Sequence, residues 1–332
     1  MTTQERVNAL MAHGFTQRQA VFVAMVLLHS GVCVPRQYCA FVGTGWGQVA
    51  RDFFDKLSDR KLATMYPGGA SGGSIFHLHR KSLYRAIGEP NSRLGRRGTV
   101  TRAVERLMVL DAVLANRDIP WLATENEKID YFTQQRGLAL AELPSLTYVG
   151  AGQSTTRYFP DRLPIGVGAT RGETVFLHVV TSADGQAFRA FLERHESTFR
   201  RLPRWRIILA LPRAIAQGET THRKLFSDMC AGPLRPALVD EFRWFCRMRR
   251  AQEEHVEPVA SIDPVRFARA HRAFGDRRFY GIYRRWCRDG EGALQRLMTP
   301  AFQDAWRRGD AALDTLVLPH VYGENGPLAR AV

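Results

Sequence analysis

Acidic residues are the scarce class in this chain. Its 332 residues carry 32 Asp+Glu against 47 Lys+Arg, a formal charge of +15 and a pI near 10.2. A partner of like charge is thereby disfavoured, and the balance favours a polyanion, most simply double-stranded DNA. Cysteine is also sparse. The five cysteines (33, 39, 230, 246 and 287) are odd in number and form no CxxC pair, which argues against a disulfide framework and for a reduced, cytoplasmic setting. No apolar run approaches the roughly 18 residues of a membrane span, and the polar start MTTQER does not read as a signal peptide. No lipidation motif is present, so no membrane partner is expected.

Several enzymatic signatures are missing as well. GTGWG at 43–47 follows no strand-like run and leads to no Gly-Lys-Ser/Thr, so it is not a phosphate loop. GxSxG is absent, and Cys and His show no local nucleophile pattern. His77 and His79 fall on one strand face, but no further ligands stand at metal-binding spacing, so neither a metal site nor a cofactor is expected.

What is present begins with Gly43–Arg60, GTGWGQVARDFFDKLSDR. Thr44 stands where an N-cap would stand, and Val49, Phe53, Phe54 and Leu57 recur at helical spacing to define an inner face. Gln48, Arg51, Asp52, Asp55 and Lys56 take the outer face. Gln48 suits adenine and Arg51 suits guanine or a phosphate. An ordinary amphipathic surface helix shows the same pattern, and the flanks weigh against it. Upstream, Thr16 caps a nearly all-apolar helix ended by Gly31, and Pro35 opens a short helix. Downstream, LATMYP and SIFHLH are strand-like around the tip PGGASGG. This is the order of a winged helix-turn-helix over residues 1–90. Its expected DNA contacts are Thr44, Trp46, Gln48, Arg51 and Lys56 on the recognition helix, with His77, His79, Arg80 and Lys81 on the wing.

Residues 91–143 read as a helical linker. GTVTRAVERLMVLDAVL is amphipathic, and Thr124 with Glu127 forms a capping-box pattern. A homodimer contact could be built here, and the sequence leaves that open. Over 144–232 the pattern changes to SLTYVG, TTRYFPDRLPIGVG and ETVFLHVVTS, then an amphipathic helix, then the apolar strand WRIILALP, an α/β order with a crossover. Residues 233–332 return to basic helices in which aromatics at three- and four-residue spacing form a core, with an irregular tail after Leu316. The class is therefore mixed α/β (α+β).

The series of an N-terminal winged helix, a linking helix, Phe-Pro-Asp, a Phe-Leu-x-Val strand, a helix and a buried strand resembles the replication-relaxation family of plasmid and integrative-element proteins, over roughly residues 15–215. The resemblance implies a domain like the PD-(D/E)xK nucleases. Such an enzyme needs an aspartate, then a carboxylate and a lysine on the next strand. Asp161 fits the first element, but His178 stands where the acid should be and Val180 where the lysine should be. Glu173 is at the wrong end of that strand, and Asp184 lies beyond it. The domain is therefore expected to be nuclease-like in shape and catalytically empty. His195, between Arg194 and Glu196, reads as a surface residue. The expectation is a sequence-specific DNA-binding transcription regulator of a mobile genetic element. The alternative is a plasmid or integrative-element replication or transfer protein with a nuclease or accessory nuclease role.

Overall fold

Thr16 accepts the Gln19 N–H and Gln19 returns a bond to the Thr16 backbone, and this reciprocal cap starts the first buried helix of the chain. The computed structural model describes residues 1–66, 74–150, 153–170, 172–230, 234–254, 263–275, 277–298, 303–320 and 322. The tip PGGASGG lies outside these residues. The fold is mixed α/β, and it divides into two compact units, residues 1–220 with 312–332, and residues 221–311.

The first unit opens with α1 (Thr3–Met11), α2 (Gln17–His29), β1 (Val32–Cys33), α3 (Pro35–Val42), α4 (Gln48–Asp59), β2 (Ala63–Tyr66) and β3 (Ile75–Leu78). The strands form one antiparallel sheet in the order β1-β3-β2, with Thr64 opposite His77 and Met65 opposite Phe76. Phe22, Tyr38, Phe53 and Phe54 form the centre of its core. Tyr38 stacks on Phe53 at 4.1 Å, and Phe22 meets Phe53 edge-on at 5.8 Å. Gly31 has φ +70°, and a Cβ there would stand 2.4 Å from the Leu94 carbonyl oxygen, so only glycine fits.

The connecting elements are α5 (Lys81–Ala86), α6 (Val100–Ala115), β4 (Trp121–Leu122) and α7 (Glu125–Asp130). Thr124 and Glu127 make the expected capping box on α7. Arg36 forks onto both oxygens of Asp111 at 2.7 Å, and Gln37 donates to the Leu107 carbonyl, fastening α3 to α6. Then follow β5 (Ser145–Gly150), β6 (Gln153–Tyr158), β7 (Ile165–Val167), β8 (Glu173–Val179), α8 (Gln186–Arg201) and β9 (Arg204–Pro212). β5 and β6 pair as an antiparallel ribbon of their own.

The main sheet has the order β10-β9-β8-β7-β4, where β10 is Ala311–Leu318. β7 and β8 run antiparallel, and β8 and β9 run parallel across the crossover helix α8. Alternation along β8 sends Val175, Leu177 and Val179 into a core with Met108, Val109 and Val113 of α6. Phe176 and His178 instead meet rings of α8, with Phe176 4.8 Å from Phe199 and His178 4.8 Å from Phe191. The sheet is thus covered by a helix on each face. The strand β10 is a correction to the expected helical reading of residues 233–332: its backbone is taken up by the sheet edge beside β9, which offers the hydrogen bonds that a loop would have sought in water. Most of the tail expected to be irregular after Leu316 lies outside the described residues.

In the second unit, α9 (Glu219–Cys230) is followed by α10 (Pro236–Glu253), α11 (Pro264–Phe274) and α12 (Arg277–Asp289). Phe242, Phe245, Phe274, Phe279, Tyr283 and Trp286 are buried together, as their helical spacing predicts. Arginine planes cover ring faces at the edge, with Arg266 3.9 Å from the Trp244 centroid and Arg249 4.7 Å from that of Tyr283. These arginines stabilise the helical unit's own rings. Among the described residues no helix is long and apolar enough to cross a membrane.

Candidate nucleic-acid interface

α4 begins at Gln48 rather than at Thr44, and its N-cap is Gly47, which offers no side-chain cap. Thr44 is occupied one step earlier. Gly43 takes the left-handed conformation (φ +73°) at the C-terminus of α3, and the Thr44 N–H folds back to the Cys39 carbonyl at 3.0 Å. Thr44 therefore closes α3, and the first-turn N–H groups of α4 are left without a side-chain cap.

The inner face of α4 is Ala50, Phe53, Phe54 and Leu57. Val49, expected on that face, is 56% exposed. At about 100° per residue the buried Ala50, Phe53, Phe54 and Leu57 centre the inner face between them, and Val49 falls about 40° beyond Phe53, past the edge of that face. Trp46 is 55% exposed, its ring 6.3 Å from that of Phe54. Gln48, Arg51, Asp52 and Asp55 are exposed on the same short helix. The Gln48 amide donates to Asp52 at 2.6 Å, while the Arg51 side chain makes no hydrogen bond or ion pair among the described residues.

Lys56 leaves this group. Its ammonium donates to Gln19 Oε1 at 3.0 Å and to the Gly14 carbonyl at 3.5 Å, so it is turned back onto the α1–α2 corner. Arg60 does the same at 2.9 Å from the His13 carbonyl. Lys56 is a brace between helices and is withdrawn from the expected contact set.

The hairpin splits the remaining candidates. His77 is buried, its Nε2 3.1 Å from the Leu94 carbonyl, which assigns the proton to that nitrogen. Burial lowers its pKa from the usual histidine value, and the Leu94 bond opposes this only in part. His77 is thus an interior residue, another correction, because β3 is the central strand of its sheet and is covered on this face. His79 is half-buried, with Nε2 2.9 Å from the Thr64 hydroxyl. Arg80 and Lys81, at the start of α5, are exposed.

The nuclease-like positions have different surroundings from those a metal-carboxylate site needs. His178 is wedged between Phe188 and Phe191, with centroids at 5.0 and 4.8 Å, and Val180 is buried with its N–H on the Ala210 carbonyl. Glu173 faces Arg206 at 3.5 Å, and Asp184 accepts the Gln186 N–H at the start of α8. Among the described residues Asp161 meets no second carboxylate. Its Oδ2 lies 2.6 Å from His195 Nε2 and 3.7 Å from Arg194. Burial disfavours its charge, yet His195, Lys128 and Arg194 outweigh that cost and hold the carboxyl well below the usual range. His195 is 1% exposed, which overturns its reading as a surface residue. Lys128 is fully enclosed, donates to the Leu163 carbonyl at 2.7 Å, and is lowered by burial to about 8. Among the described residues no group of three or more His, Cys, Asp or Glu side chains is placed to hold a metal ion.

No protein-family model, no curated protein and no solved structure matches the chain.

Proposed function

We propose that residues 1–90 are a winged helix-turn-helix and that the protein is a sequence-specific, double-stranded-DNA-binding transcription regulator, carried by a mobile genetic element. The observation that carries this is the first turn of α4. Trp46, Gln48, Val49 and Arg51 stand exposed together at an uncapped helix start, with Phe53, Phe54 and Leu57 anchoring the opposite face. A helix presented N-terminus first is what a major groove accepts. Its free N–H groups suit a phosphate, Arg51 suits guanine, and Val49 suits a thymine methyl. The net charge of +15 adds salt-dependent affinity. Arg80 and Lys81 supply backbone contacts after the hairpin.

The α/β portion is, on this reading, a degenerate PD-(D/E)xK-like domain without nuclease activity. The pairing of Asp161 with His195 and the packing of His178 among phenylalanines support it. The resemblance to the replication-relaxation family supports the mobile-element setting.

The test is recovery of DNA crosslinked to the chain in its own host. Sharp peaks at promoters sharing one sequence motif are expected. A single peak at a replication or transfer origin would replace the regulator with an origin-binding protein. Purified protein is also expected to leave supercoiled plasmid intact with Mg²⁺ or Mn²⁺, and cleavage that disappears in Asp161→Ala would overturn the non-catalytic reading.

A further inference from the structure

A cleft of about 330 Å³ opens within the first unit, between the C-terminus of α2, the turn at Arg93–Gly95, the start of α7 and the turn that follows β6. That volume is at the lower end for small-molecule sites. Its lining is mostly polar, and two of its cations are uncommitted. The Arg93 and Arg162 side chains make no hydrogen bond or ion pair among the described residues. Of the two acids that line the cleft, Glu125 is engaged, accepting the Tyr158 N–H at 2.8 Å and pairing with Arg157 at 3.4 Å, while burial raises the Glu89 carboxyl above its usual pKa.

The turn that carries Arg162 is unusual. Phe159 (φ +49°) and Arg162 (φ +58°) both occupy the left-handed region, which side chains with a Cβ avoid. The Arg162 N–H closes the turn on the Phe159 carbonyl at 3.0 Å. Beneath it, Asp161 is fixed by His195 and the Leu163 carbonyl by Lys128. Strained backbone persists where the surroundings over-determine it, and such places cluster at ligand sites. Here the strain sets a guanidinium at the mouth of a cleft. Burial works against the Arg162 charge, and the positive charges of Arg93, Arg102 and Arg157 add to that, while the Tyr148 hydroxyl lies close enough to oppose it. A bound anion would relieve the repulsion.

We propose that this cleft binds a phosphate-bearing organic anion of about nucleoside-monophosphate size, with Arg93 and Arg162 clamping the phosphate. Paired guanidinium forks match phosphate geometry. The half-exposed Tyr148 ring offers a stacking face at the rim, and the Asn91 and Asn126 amides line the cleft where a base edge would reach them. The site adjoins both α2 and α7, so its occupant would touch the candidate DNA-binding part and the α/β part together.

The test is calorimetric titration of the full chain, without DNA, by AMP, GMP, CMP, UMP and inorganic phosphate in turn. Its outcome does not depend on the DNA-binding reading. At least one monophosphate is expected to bind one-to-one with Kd below about 1 mM, at least about tenfold tighter than inorganic phosphate. Arg162→Gly removes the guanidinium while glycine accepts the left-handed backbone, so the fold should be retained. It and Arg93→Ala should each weaken binding about tenfold or more, and Arg162→Lys should weaken it less than Arg162→Gly. Failure of all five probes to saturate would overturn the site. So would unchanged affinity in both Arg162→Gly and Arg93→Ala, and phosphate binding as tightly as every nucleotide would overturn the assigned ligand size.

Discussion

The Asp161 carboxylate lies 2.6 Å from His195 Nε2, joining the turn after β6 to the middle of α8 across 34 residues of sequence. His195 is enclosed by rings on that helix and the sheet, 4.6 Å from Phe191 and 5.4 Å from Phe176. A carboxylate in such a place is retained only with a charged partner. Removing one member leaves the other desolvated, which typically costs about 3–5 kcal/mol. Asp161→Asn keeps the shape and removes the charge, so it should lower unfolding stability at pH 7 by about 3 kcal/mol. Urea midpoints coinciding with wild type would show that the pair contributes nothing.

The same pair sets an acid limit. The folded Asp161 carboxyl is held well below its ordinary value of 3.8, so the unfolded chain takes up that proton first as pH falls. Its contribution is therefore present above the unfolded value and is lost progressively below about pH 4. Wild type should approach the stability of Asp161→Asn between pH 4 and pH 2, and parallel pH curves would contradict the assignment.

Lys128 acts in the opposite range. Burial lowers its folded pKa to about 8 from 10.5, so between those values the unfolded chain holds a proton that the folded chain has released. Stability from this group consequently rises with pH from about 8 to 10.5. Relative to Lys128→Met, wild type should gain on the order of 2–3 kcal/mol over that window. Chemical denaturation at pH 7.5 and 10 measures it, and a wild-type loss over the interval would reverse the sign argued here.

Much of this fold was legible because its signals are local. The caps at Thr16 and Thr124, Pro35 at a helix start, and the strand runs 63–66, 75–78 and 173–179 depend on neighbours a few residues away. The errors came where two elements compete for one residue. Thr44 was claimed by the end of α3 before α4 could use it, and the inner face centred on Ala50, Phe53, Phe54 and Leu57 left Val49 past its edge. His195 was readable: Phe188, Phe191, Leu192 and Phe199 share its helical face, and the adjacent charges of Arg194 and Glu196 concealed this. Arg162 was not readable, because a left-handed arginine turn gives no compositional sign. The return of β10 to the sheet edge depends on a partner more than ninety residues earlier, beyond any periodicity.

Lys56 separates a brace from a DNA contact. Its bonds to Gln19 and Gly14 join α4 to the α1–α2 corner. Lys56→Met should lower stability by about 0.5–1.5 kcal/mol through the lost hydrogen bonds. The slope of log affinity against log salt for DNA should stay unchanged, since no phosphate contact is removed. A slope reduced by about one would return Lys56 to the interface.

The proposed recognition turn is tested by Gln48 and Arg51. Arg51 is exposed and uncommitted, whereas Gln48 is held by Asp52 at 2.6 Å and must exchange that bond to reach a base. Arg51→Ala should cost about 1–3 kcal/mol on the cognate site and much less on random DNA. Gln48→Ala should cost less on the cognate site, because Gln48 gives up its Asp52 bond to reach a base and gains correspondingly less from that contact. Asp52→Ala releases Gln48 and removes a negative charge from the docking face, so it should tighten both cognate and random binding. Competition gel shifts at fixed salt resolve these differences. An equal loss on cognate and random DNA for Arg51→Ala would place that side chain on the phosphate backbone and move sequence reading elsewhere on α4.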